Sequence, residues 1–240
     1  MASGHVISDL HLFAHRSVAD SYMRDIRRAA AESDFFVLNG DIFDFRWSTL
    51  PTVDDSLDAA DTWLRALVTN HPQCRFFYTL GNHDCYEPFI ERLDALATET
   101  LNLQWHPSHL RLGTALFLHG DLPLAPRGSD RAARTFHPAL GRNGRTLRML
   151  YRLFVAFRGH RLLASLHQPR PSAKRIARWL RADVTGLAEG VTDVYFGHTH
   201  LAFSDFDYDG LRFHNTGSAI RGLSSRMLEV RIAVPPEHLA

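Results

Sequence analysis

Asp34-Phe35-Phe36-Val37-Leu38-Asn39-Gly40-Asp41 is the stretch on which the fold turns. A short apolar run closed by Asn-Gly-Asp predicts a strand buried on both faces, with polar residues at its C-terminal end. The same form recurs along the chain. His5-Val6-Ile7 ends at Ser8-Asp9, Arg75–Leu80 at Gly81-Asn82, Ala115–Leu118 at His119-Gly120, and Asp193–Phe196 at Gly197-His198. Helical spacing fills two of the gaps: Leu57, Ala60, Leu64, Leu67 and Val68 in Asp54–Val68, and Phe89, Ile90, Leu93 and Leu96 in Glu87–Ala97. Strands alternating with helices predict an α/β fold. Three more strand-like runs follow at Leu201–Tyr208, Leu211–His214 and Met227–Val234, the first two joined by Asp209-Gly210, a strong hairpin signal.

The 240 residues carry a formal net charge of only +1, but the charge is segregated. Arg127–Arg181 holds 14 basic residues and one acid, a balance of +13, while the rest holds 13 basic and 25 acidic residues, 13 − 25 = −12. We read a single domain over 1–240, interrupted by a basic helical insertion at about 125–182. Within the insertion, helices are expected over Arg145–Phe157 and Ala173–Arg181, each with apolar residues on one side and arginines on the other. A hydrophobic content of 45% with 22% charged residues argues against disorder. No run reaches the roughly 18 apolar residues of a membrane span, and no signal peptide is evident. Two cysteines, Cys74 and Cys85, are too few for a disulfide scaffold and suit a cytoplasmic protein.

The predicted strand ends carry the chemistry. They supply Asp9 and His11, then Asp41, then Asn82, His83 and Asp84, then His119, then His198 and His200. In open α/β sheets ligands bind outside the C-terminal strand ends, so these residues should converge. Oxygen and imidazole donors without thiolate suit Mn²⁺, Fe, Zn²⁺ or Co²⁺. Asp9, His11, Asp41, Asn82, His119, His198 and His200 make seven candidate ligands, and one catalytic ion needs about three. Seven fit two ions sharing a carboxylate, the arrangement for in-line displacement at phosphorus. Glycines before Asp41, Asn82 and His198 would permit close backbone approach. His214–Ser218 ends a strand near the last block and is expected to face the same site.

The five blocks, in this order, are Asp9-Leu10-His11, Gly40-Asp41-Ile42-Phe43-Asp44, Gly81-Asn82-His83-Asp84, His119 and Gly197-His198-Thr199-His200. Together they resemble the motif set DxH, GDxxD, GNHD, His and GHxH of the calcineurin-like metallophosphoesterases. The resemblance implies a two-sheet β-sandwich flanked by helices, an α/β (α+β) fold holding two divalent ions. It assigns Asp9, His11, Asp41 and His200 to one ion and Asp41, Asn82, His119 and His198 to the other. It makes metal-activated water the nucleophile. His83 would contact the phosphate and protonate the leaving oxygen, with Asp84 orienting it.

Gly40-Asp41-Ile42-Phe43-Asp44-Phe45-Arg46-Trp47, the chain length and a helical insertion between His119 and His198 resemble the UDP-2,3-diacylglucosamine pyrophosphatases of lipid A biosynthesis. That resemblance implies a Mn²⁺-dependent cytoplasmic enzyme, peripheral on the inner membrane, acting on a lipid-linked diphosphate under a helical lid. Arg46, Trp47, His15 and Arg16 follow the first two motifs closely and, with Asn82 and His83, are candidates for substrate contact. The insertion's arginines would meet diphosphate or an anionic membrane surface. Nucleic acid is disfavoured as a partner, because the segment's aromatics fall on the apolar helix faces rather than among the arginines. Two alternatives stand beside this reading: a phosphodiesterase or phosphatase of nucleotides or nucleic acid, and a metal-free scaffold of the same fold.

Overall fold

The structure, a computed structural model, describes residues 1–124, 168–182 and 186–233. Its strands are β1 (Ala2–Ile7), β2 (Phe35–Asn39), β3 (Arg75–Thr79), β4 (Leu103–His106), β5 (His109–Leu112), β6 (Ala115–Leu118), β7 (Asp193–Phe196), β8 (Phe203–Tyr208), β9 (Leu211–Asn215) and β10 (Leu228–Ile232). Its α-helices are α1 (Met23–Glu32), α2 (Val53–Thr69), α3 (Glu87–Glu99), the one-turn α4 (Asp121–Leu124) and α5 (Pro169–Ala182). Two five-stranded sheets form, ordered β10-β1-β2-β3-β4 and β5-β6-β7-β9-β8. β1 to β4 run parallel, as do β6, β7 and β9, while β10, β5 and β8 close edges antiparallel.

The two-residue period of a strand sorts its side chains into layers. In β2, Phe35 and Val37 face the second sheet, packing with Phe77, Leu110, Phe117 and Val230. Phe36 and Leu38 face the other way, onto Ile26 of α1, Leu64 of α2 and Phe89 and Leu93 of α3. In β6 the same alternation puts Ala115 and Phe117 between the sheets and Leu116 and Leu118 under α5. The result is a helix–sheet–sheet–helix sandwich in which the central strands are apolar on both faces. Thr52 caps α2 reciprocally with Asp55, which is why the acids cluster in its first turn.

The expected α/β core and its eight strand-like runs are present, with shifted ends. β4, β5 and α1 were not foreseen. β4 and β5 are four-residue strands interrupted by polar side chains, Gln104 and Arg111 among them. α1 buries only Ile26, Ala29 and Ala30, so its apolar stripe is mostly alanine. Asp209 and Gly210 both take positive φ (59° and 79°), as a two-residue hairpin turn requires.

The helix expected over Arg145–Phe157 lies outside the described residues. The later one forms and begins earlier, at Pro169. Its apolar face is Ala173, Ile176, Ala177 and Leu180, all buried against Leu116, Leu118, Val194, Phe196 and Phe213. The lid expectation is therefore corrected for this helix: the second sheet covers the face that an acyl chain would need. Its Arg170, Lys174, Arg178 and Arg181 remain exposed. Ile176→Ala should lower stability by about 2–4 kcal/mol, the range for a fully buried core residue. A urea midpoint close to wild type would restore the mobile-lid reading.

Candidate metal centre

Parallel strands deliver their C-terminal ends to one edge of the sandwich. Asp9 and His11 leave β1, Asp41 leaves β2, Asn82 and His83 leave β3, His119 leaves β6, and His198 and His200 leave β7. The backbone turns sharply there. Asp9, His11, Asp41, His198 and His200 all have positive φ, between 47° and 64°. That region costs a non-glycine residue roughly 1–2 kcal/mol and persists only where surrounding contacts hold it. Five candidate ligands in this state mark a site built against local preference.

Close approach explains two of the preceding glycines. A Cβ at Gly81 would overlap Asp41 Oδ1, and one at Gly197 would overlap Asp9 Oδ2 and Ser8 Oγ. Both carboxylates lie directly against a neighbouring strand's turn, where any side chain would displace them. Backbone amides hold them as well: His83 N–H donates to Asp41 Oδ1 at 2.8 Å, and His198 N–H donates to Asp9 Oδ2 at 3.1 Å.

Asp9 and Asp41 are 0% and 1% exposed, and imidazoles surround them. His200 Nε2 is 3.2 Å from Asp9 Oδ1, His119 Nε2 is 3.2 Å from Asp41 Oδ2, and His11 Nε2 is 3.2 Å from His200 Nε2. His198 Nδ1 is 2.9 Å from Asn82 Oδ1. One donor atom each from Asp9, His11 and His200 lies within 4.8 Å of the others, and the same holds for Asp9, Asp41 and His119. The tautomer of His119 decides the chemistry. Its Nδ1 faces the Asn39 carbonyl at 3.2 Å and donates to it, which leaves Nε2 as the nitrogen that binds either a proton or a metal ion. That nitrogen is buried and points at Asp41 Oδ2, 3.2 Å away. Two electron-rich atoms held face to face need a cation between them, so this donor set fits divalent ions.

The electrostatics agree. Burial opposes charge on Asp41, yet His119 and His83 outweigh it and hold this carboxyl well below the usual range. Burial would lower His119, but Asp41 and Asp9 raise it to about 10. His198 goes the other way: burial and the neighbouring His119 lower it to about 4, leaving a neutral ligand at neutral pH.

The structure brings all seven predicted ligands together, but it corrects the partner of His83. Asp84 does not face that imidazole. Its carboxylate accepts from Ile42 N–H at 2.9 Å, the Tyr78 hydroxyl at 2.6 Å and Gly81 N–H at 2.6 Å. Burial and the charge of Asp41 push it up to about 6, so at neutral pH it is an ionised clamp on the two ligand-bearing turns. The His83 partner is Asp44. Its Oδ1 lies 3.1 Å from His83 Nδ1 and its Oδ2 lies 3.4 Å from His11 Nδ1. Asp44 was legible as the last letter of GDxxD, but its contact with His83 was not. Asn39 was missed too, although a polar residue closing an apolar run is itself a signal.

The pocket candidates divide. Trp47 donates its backbone N–H to Asp44 Oδ1 at 2.8 Å and is half-buried, and Arg46 beside it is exposed. Arg16 is buried, and its carbonyl accepts from Arg221 N–H at 2.8 Å. His15 instead lines a cleft of about 750 Å³ with Phe13, Asp20, Arg27 and Trp63, none of them a candidate ligand.

His119 holds a proton up to about pH 10 in the metal-free protein and must lose it from Nε2 to bind an ion. Ion uptake should release a proton, and affinity should tighten by roughly tenfold per pH unit between about pH 7 and pH 9. Chelator competition at several pH values measures this; a pH-independent affinity would contradict the assignment.

Comparison with known proteins bears on the same residues. No curated protein matches the chain. Among solved structures it is similar to the crystal structure of Chaetomium thermophilum Vps29, at 14% identity and a TM-score of 0.40, over 97% of this chain and 81% of that one. A family model described as calcineurin-like phosphoesterase matches residues 5–202, which span every candidate ligand. On that match the chain belongs to the calcineurin-like phosphoesterase family.

Proposed function

We propose that the protein is a dinuclear-metal hydrolase of a phosphoester or diphosphate bond. The observation that carries this reading is the face-to-face placement of buried carboxylates and imidazole nitrogens at one sheet edge. Asp9, His11, Asp41 and His200 would hold one ion; Asp41, Asn82, His119 and His198 would hold the other. When bound, two such ions supply a water nucleophile at neutral pH and neutralise charge on the phosphoryl oxygens.

The chain's own residues would supply the proton and the orientation. His83 is the acid: burial lowers it, but Asp44 and Asp41 raise it to about 9, so it is protonated at neutral pH. Asp44 meets its Nδ1, which leaves Nε2 to donate to the departing oxygen. The imidazole side chain is 19% exposed, so it sits at the surface of an otherwise buried cluster.

For the substrate we favour a lipid-linked diphosphate resembling UDP-2,3-diacylglucosamine, taken from an anionic membrane surface with Mn²⁺ as the ion. The support is the Gly40–Trp47 block and the cations of 127–181. The apolar face of α5 is buried on the second sheet and does not support an acyl contact by this helix. Among the described residues no helix is long and apolar enough to cross a membrane.

Asp41→Ala should lose bound metal and abolish turnover; near-normal activity would sink the dinuclear reading. His83→Ala should cut turnover about 10²–10⁴-fold with metal content intact, and loss of metal instead would make His83 a ligand. Profiling the Mn²⁺-loaded enzyme on UDP-diacylglucosamine, a nucleotide diester and single-stranded nucleic acid tests the substrate. Preference for either of the last two overturns the lipid assignment, and inactivity on every phosphoester overturns the hydrolase.

A further inference from the structure

Beneath Asp9 lies a chain of hydroxyl groups with a defined direction. Ser8 and Thr216, 208 residues apart, are 0% and 2% exposed. Ser8 Oγ contacts Asp9 Oδ2, Ser8 Oγ and Thr216 Oγ1 are 2.6 Å apart, and Ser8 N–H donates to Thr216 Oγ1 at 3.1 Å. Each hydroxyl has one hydrogen to give. A carboxylate only accepts, so Ser8 gives its hydrogen to Asp9. Ser8 Oγ must then accept from Thr216, and Thr216 accepts in turn from the Ser8 backbone. Only one arrangement satisfies every donor.

The consequence falls on the two oxygens of Asp9. Oδ2 receives Ser8 Oγ–H and shares the His198 N–H, at 3.1 Å, with Oδ1 at 3.2 Å. Oδ1 is 3.2 Å from His200 Nε2 and 3.8 Å from His11 Nε2. We propose that Ser8 and Thr216 are positioning residues: their relay occupies Asp9 Oδ2 and turns Oδ1, the oxygen without a hydroxyl partner, toward the ion shared with His11 and His200. The loop after β9 is thus part of the metal centre without supplying a ligand. Two further bonds fix it there, from Ser218 Oγ at 3.1 Å and Ala219 N–H at 3.0 Å, both to the Asp9 carbonyl. Among the candidate ligands the relay's hydroxyls touch only Asp9, so its effect falls first on the ion assigned to Asp9, His11, Asp41 and His200.

This inference rests on the dinuclear reading, and its test separates the two. Metal-free wild type, Ser8→Ala, Thr216→Val and Thr216→Ser are titrated with Mn²⁺ against a chromophoric chelator. Electron paramagnetic resonance follows the coupled Mn²⁺ pair, and circular dichroism follows folding. Outer groups that orient a ligand are worth about 10–100-fold in metal affinity. Ser8→Ala and Thr216→Val should therefore weaken one binding event by that factor and leave the other unchanged. The coupled signal should give way to that of isolated Mn²⁺ at equal loading. Thr216→Ser, which keeps the hydroxyl, should bind like wild type. Wild-type affinity in both hydroxyl-deleted variants overturns the proposal, as does a Thr216→Ser variant as defective as Thr216→Val. If one variant fails to fold, the other decides. Wild-type protein that takes up no Mn²⁺ overturns the metal centre itself, and the relay with it.

Discussion

Two carboxylates without solvent, Asp9 and Asp41, set the terms for the rest of the molecule. Burying an ionised group costs several kcal/mol unless it is paired and hydrogen-bonded. Here each carboxylate takes a backbone amide from a neighbouring strand's turn and faces histidine nitrogens. Between ionised oxygens and imidazole lone pairs, either protons or metal ions must intervene. Positive φ at five residues, side-chain-free turns at Gly81 and Gly197, and the Asp84 clamp all hold this cluster together.

The two-sheet sandwich is what makes such a cluster possible. Asp9, Asp41 and Asn82 come from the first sheet, and His119, His198 and His200 from the second. Asn39 ties the sheets directly beneath the site. It donates to the carbonyls of Leu118 at 3.0 Å and Tyr195 at 3.3 Å, and its own carbonyl orients His119. The packed layer of Phe35, Val37, Phe77 and Phe117 sets how far apart the two halves of the site stand. A change in that layer would alter the spacing between donors with no ligand touched.

Much of this was legible in the sequence, because buried parallel strands announce themselves as apolar runs and their ends as clustered polar residues. Seven ligands could be named from spacing and resemblance, since each sits one to four residues beyond a strand. What escaped has physical reasons. β4 and β5 are short edge-side strands mixing polar with apolar residues, and α1 packs through alanines, which leave a faint periodic signal. The partner of His83 depends on how two turns fold over one another, and adjacency in sequence favoured Asp84 over Asp44. The lipid-lid reading of α5 failed because an amphipathic stripe looks the same whether it awaits a ligand or already lies on its own sheet.

The bond between Ser8 and Thr216 also imposes an order on events in the cell. Chains fold from the N-terminus as they are made. Asp9, His11, Asp41, Asn82 and His119 all leave the ribosome before β7 and β9 exist. The groups that close around Asp9, from His198 to Ala219, are made only after all of these. Until then Asp9 lacks the amides and hydroxyls that fix it. Any discrimination between one divalent ion and another would therefore wait for the strands that bring His198 and Thr216.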